Sequence, residues 1–94
     1  MKITGIIWLH TVINKIAQKH QADPEEVEEV FHNRPRFQRV GQGNVAGEDL
    51  YSATGQTDTG RYLVVFFLYK QSGHALPISA RDMSAKERKR YGRK

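Results

Sequence analysis

Arg61-Tyr62-Leu63-Val64-Val65-Phe66-Phe67-Leu68-Tyr69-Lys70 is the stretch from which the fold is read. The residues from Tyr62 to Tyr69 are apolar or aromatic without a break, so no polar face remains on either side of an extended chain. The run is too short to cross a bilayer. Turn signals bracket it, Asp58-Thr59-Gly60 before and Gln71-Ser72-Gly73 after. It reads as a central strand, covered by helices on one face and by loops or a partner on the other.

Outward from it, Asp49–Thr57 alternates, with Leu50, Ser52 and Thr54 on one side and Tyr51, Ala53 and Gly55 on the other. Phe37–Val40 is a shorter strand, and Gly41–Gly47 is glycine-rich and reads as a turn. Downstream, His74–Arg81 forms another strand, in which Pro77 predicts an edge position or a bulge. Short connections make these strands antiparallel neighbours. Near the amino end, Lys2–Leu9 reads as a first strand, bulged at Gly5. From Thr11 the period changes: Val12, Ile13, Ile16, Ala17 and His20 share one face of a helix running to about His20. Asp23 as N-cap, Pro24 in the first position and Glu26 three past the cap open a second helix, with Val27, Val30 and Phe31 buried. Asn33-Arg34-Pro35 ends it. Ser84 and Glu87 form a capping-box pair for a final helix, and Gly92–Lys94 is expected to fray. The order is β-α-α-β-β-β-β-α. We expect residues 1–94 to be one α+β domain, a small antiparallel sheet with two N-terminal helices packed on one face and a C-terminal helix.

Charge is distributed unevenly. The net charge is +5, with a pI near 9.7. From Arg81 onward, the seven bases Arg81, Lys86, Arg88, Lys89, Arg90, Arg93 and Lys94 face two acids, Asp82 and Glu87, and seven minus two equals the net charge of the whole chain. Asp23, Glu25, Glu26, Glu28 and Glu29 make the second helix acidic. A polyanion such as nucleic acid would therefore seek the carboxyl-terminal segment and avoid the second helix. The chain has no cysteine, so neither disulfides nor thiolate chemistry is available. Met1–Leu9 has no signal-peptide pattern, and a cytoplasmic protein is expected.

Arg61 opens the central strand and Arg81 closes its neighbour. Hairpin geometry is expected to bring the two guanidiniums together as a clamp for one phosphate. Tyr91 lies three and four residues beyond Arg88 and Glu87, on one helical surface. The structural alternative is that Arg81 pairs with Asp58 or Asp82 and that Tyr91 packs on the sheet. The histidines (His10, His20, His32, His74) lack metal-type spacing, so no metal is expected. His20, at a helix end, is a weaker candidate for a base or phosphate contact. Gly41-Gln42-Gly43 lacks the rest of a phosphate-binding loop.

Ile78-Ser79-Ala80-Arg81, Met83 and Glu87-Arg88-Lys89-Arg90-Tyr91 resemble the carboxyl-terminal signature of BrnT-family toxins, an "ISAR" strand followed by an "ER…Y" helix. Lys19-His20, Pro24–Phe31 and Gly60–Val65 resemble that family's "KH", "VF" and "GR.L.V" segments in the same order. Ile6–His10 and Gln21 depart from the family pattern, the latter standing where glycine commonly follows "KH". The resemblance implies a RelE-like fold and a metal-independent ribonuclease, without cofactor, that arrests translation and is neutralised by a cognate antitoxin. It would place catalysis at Arg61, Arg81, Glu87, Tyr91 and His20. RNA would be held by Lys15, Lys19, Lys70, Arg88, Lys89 and Arg90. Expected partners are RNA and the antitoxin protein, which would cover the basic surface and sheet edges. No membrane is implied, and homo-oligomers and toxin–antitoxin hetero-oligomers both stay open. The alternative functions are a non-catalytic nucleic-acid-binding module and a protein-interaction module.

Overall fold

The computed structural model describes residues 1–44 and 46–92. Val45, in the glycine-rich turn, and Arg93 and Lys94, in the expected frayed end, lie outside the described residues. The elements are β1 (Gly5–Ile6), α1 (His10–His20), α2 (Pro24–His32), β2 (Arg36–Gly41), β3 (Leu50–Gln56), β4 (Tyr62–Tyr69), β5 (His74–Asp82) and α3 (Ala85–Tyr91). They build one sheet in the order β1-β5-β4-β3-β2, with β4 at its centre. All pairings are antiparallel except β1 on β5, which is parallel. The first strand is much shorter than Lys2–Leu9. After Ile7 donates to the Ala75 carbonyl, the chain leaves the sheet, and Trp8 turns its indole N–H onto Glu28 of α2 at 2.9 Å.

β5 is bulged near the proline. Phe66 pairs with Ser79 and Phe67 with Pro77, which leaves Ile78 without a partner on β4. The carbonyl of Ile78 accepts instead from the Lys15 ammonium on α1. The bulge reverses the strand's phase. Ala75 and Pro77 face the same side as Phe67, whereas beyond the bulge Ala80 and Asp82 do so, and Ser79 and Arg81 turn to the other side.

The uninterrupted apolar run of β4 must be covered on both faces, and different elements do this. On the first face, Ile16 of α1 and Val27 and Val30 of α2 close over Leu63, Val65 and Phe67, all fully buried. Each such side chain contributes about 1.5–3 kcal/mol of burial. Phe31, Phe37 and Tyr51 ring Phe67 at centroid distances of 5.2, 6.0 and 6.0 Å. On the opposite face, Tyr62, Val64 and Phe66 meet Met83 and Tyr91. As expected, the two N-terminal helices α1 and α2 share one face, and the C-terminal helix α3 sits over the other. α3 is too short to cover the whole second face, and beside it a depression is lined by buried Ser52 and half-buried Thr54 on β3 and by exposed Arg36 on β2.

Arg61 is a fastening point of the helical face. Its Nη2 and Nη1 donate to the carbonyls of His20 and Gln21 at 2.7 and 2.8 Å, which are terminal acceptors of α1. Nη1 also reaches Glu26 of α2 at 3.0 Å, and Nε reaches Asp82 of β5 at 2.9 Å. The guanidinium holds the Asp82 carboxyl below its usual range. Gln21, beside it, ends α1 in the left-handed region at φ 53°, which a glycine adopts without strain.

Two expectations follow. Arg61→Met leaves Glu26, Asp82 and two carbonyls without their donor, and we expect a loss of about 2–4 kcal/mol in urea unfolding, between the surface and fully buried cases. Gln21→Gly removes the left-handed penalty and should raise stability by up to about 1 kcal/mol; a lower urea midpoint would contradict this account of the α1 terminus.

Candidate nucleic-acid interface

The uncovered part of the second face forms a groove of about 410 Å³. Its floor is set by strand pairing: Arg36, Thr54, Val64 and Arg81 lie opposite one another across β2, β3, β4 and β5. Three strand spacings of about 4.8 Å separate the backbones of Arg36 and Arg81 by about 14 Å. Gln38, Ser52 and Phe66 form the next row, and Glu87, Arg90 and Tyr91 of α3 make the wall.

Arg81 is held rigidly but not used up. Nη1 and Nη2 donate to the two oxygens of Glu87 at 2.7 and 2.9 Å, and Nη1 also reaches the Asp82 carbonyl at 3.1 Å. These bonds leave Nε–H and the second Nη2–H, an edge with the fork geometry that suits two phosphate oxygens. The guanidinium also lies 5.5 Å from the Phe66 ring centre. Glu87 completes the α3 capping box, accepting from the Ser84 N–H at 2.8 Å. Arg81 and the Ser84 bonds hold its carboxyl down to about 2. It is therefore ionised at any physiological pH and cannot donate a proton there.

The electrostatic excess is positive. Arg39 at the groove rim is paired with Asp49 at 3.0 Å. Arg36, Arg81 and Arg90 remain against Glu87, so three minus one leaves +2. Arg36 and Arg90 are exposed and join no ion pair among the described residues. The Tyr91 ring is buried edge-on against Tyr62 at 6.1 Å. Tyr91 lies where the groove adjoins a second depression lined by Asn33, Gln56 and Asp58.

The structure gathers some of the predicted site residues and separates others. Arg81, Glu87, Tyr91 and Arg90 converge. Arg61 does not join them: it shares the phase of Leu63 and Val65 and projects to the helical face, so Arg61 and Arg81 stand on opposite sides of the sheet and form no common clamp. His20 belongs to the Arg61 side, where it acts on Asp82. Lys15 is engaged at the β5 bulge. Lys70, just past the far end of β4, pairs with Glu48 at 2.7 Å. Lys19 is exposed on α1, and Lys89 is exposed on α3. Arg88 stacks over the Tyr62 ring at 4.3 Å. Arg36, Ser52 and Thr54 were missed. The alternation of Ser52 with Thr54 was readable, but their placement beside Arg81 depends on the bulge.

Among the described residues, no group of three or more histidines or carboxylates is arranged to hold a metal ion. No helix is long and apolar enough to cross a membrane. A family model described as "Ribonuclease toxin, BrnT, of type II toxin-antitoxin system" matches residues 12–87. That span omits the first strand, where the sequence departs from the family pattern. No curated protein matches the chain. Among solved structures, the crystal structure of the Brucella abortus ribonuclease toxin BrnT is similar, with TM-score 0.64 and 22% identity over 85% of this chain and 96% of that one. At that identity, the likeness is one of fold. With the family model covering most of the sequence, the chain belongs to the BrnT family of ribonuclease toxins of type II toxin–antitoxin systems.

Proposed function

We propose that RNA lies across the α3 face of the sheet and is cut there without a metal ion, in the cytoplasm, with arrest of translation as the outcome. The observation that carries this reading is the Arg81 guanidinium, locked by Glu87 yet presenting an unused two-donor edge to an electropositive groove. Cleavage requires the 2′-hydroxyl to lose a proton and attack phosphorus. A pentavalent phosphorane forms, and the bond to the 5′-oxygen breaks as that oxygen takes a proton. The products are a 2′,3′-cyclic phosphate and a 5′-hydroxyl. Arg81 stabilises the phosphorane charge from a fixed position, so little reorganisation accompanies the reaction. Arg36 and Arg90 hold flanking phosphates. Glu87 is ionised at physiological pH and so is restricted to accepting the 2′ proton. Tyr91, which lines the groove, is assigned to donate a proton to the leaving oxygen. Arg61, on the far face, supports the fold.

Three outcomes are expected. With purified protein and RNA, cleavage persists in EDTA, and Arg81→Ala lowers its rate about 100-fold, or about 3 kcal/mol, the scale of a lost oxyanion donor. Wild-type rates in that variant would contradict the assignment, and retention of RNA without cleavage by the wild type would point to a binding module. Arg36→Ala and Arg90→Ala weaken RNA binding and reduce its log–log salt slope by about 1 each. Because the Glu87 carboxyl is depressed to about 2, the rate should show no ionisation step from this carboxylate between pH 5 and pH 8. A step near pH 5 that disappears in Glu87→Gln would overturn that role.

A further inference from the structure

The two edges of the sheet are treated differently. On the β5 side, β1 pairs with the start of the strand, the bulge interrupts it, Lys15 fills the Ile78 carbonyl, and α1 packs alongside. Such devices protect an edge from pairing with another chain. On the other side, β2 runs from Arg36 to Gly41 and pairs only with β3. Among the described residues, its outer backbone groups make no hydrogen bond to another element. Val40 is 51% exposed and sits where the register skips from Arg39 to Gly41, so its own backbone is outside the regular ladder.

We propose that the β2 edge is a docking strand for an extended acidic protein segment, which adds to the sheet as a sixth strand and closes the groove. This rests on the reading of the groove as the RNA site, because Arg36 belongs to both. Charge selects the occupant. A second copy pairing edge to edge would bring a second Arg36, which has no ion pair among the described residues, to the same short ribbon, and like charges across strands disfavour it. An acidic strand meets Arg36 favourably, with alternate carboxylates reaching over the rim toward Arg36 and Arg90. Those side chains would occupy the positions of RNA phosphates, so the segment and the substrate exclude each other. In a type II system the protein antitoxin is the carrier for such a segment.

The test uses the full chain and the antitoxin protein of its own toxin–antitoxin pair. Amide hydrogen exchange is compared for the free chain and the complex. Amides of residues 36–41 should slow at least tenfold in the complex. Val40→Pro, which puts a residue without an N–H at the irregular position, should weaken complex formation at least tenfold. Protection confined to α2, β1 or α1, with residues 36–41 unchanged, would overturn the proposal. So would full affinity in Val40→Pro together with unchanged exchange at the edge. RNA cleavage by the free chain is read separately. Its absence would refute the reading of the groove as a ribonuclease site without deciding where the antitoxin docks.

Discussion

The two-pronged bond between Arg81 and Glu87 is the interaction on which both fold and site depend. It ties the end of β5 to the first turn of α3, and Glu87 simultaneously caps that helix through Ser84. Tyr91 and Met83 pack the helix onto Tyr62 and Val64, and the bond adds a charge-paired anchor to a seven-residue helix that carries three consecutive bases in its last turn. The bond also determines what Arg81 offers. One edge of the guanidinium is consumed in positioning, and the other remains for a ligand. A carboxylate partner would ordinarily argue against phosphate binding, but here it fixes the orientation of the donors that remain.

Much of the fold was legible because strong local signals agreed. The run from Tyr62 to Tyr69 could only be central, Asp23-Pro24 and Ser84 with Glu87 announced helix starts, and Pro77 announced either an edge position or a bulge. The site was less legible for a specific reason. Counting outward from the β4–β5 turn in regular alternation puts Arg81 in phase with Ala75 and Pro77, on the helical face beside Arg61. The extra residue at Ile78 reverses that phase and delivers Arg81 to the α3 face. Sequence suggested that a bulge existed, but not its effect on which arginines would meet. Arg36, Ser52 and Thr54 entered the site through the same cross-strand register, which no single segment reveals.

Gln21 gives a further instance. It departs from the family pattern at a position where glycine is common, and the chain there is left-handed. The backbone requirement persists although the residue has changed, and Arg61 secures the carbonyls on either side of the turn. Arg61 thus owes its place to helix termination and domain closure. The acidic face of α2 lies on that same helical layer, away from the groove, so the sheet separates the charge that repels RNA from the charge that attracts it.

The most direct measurement is a crystal structure of this protein bound to an RNA oligonucleotide whose 2′-hydroxyls are methylated, so that it binds without being cut. The account predicts a phosphate on the free edge of Arg81, with the flanking backbone passing Arg36 and Arg90 beneath α3. Phosphates gathered instead around Arg61, Lys19 and His20 on the helical face, with Arg81 untouched, would contradict it.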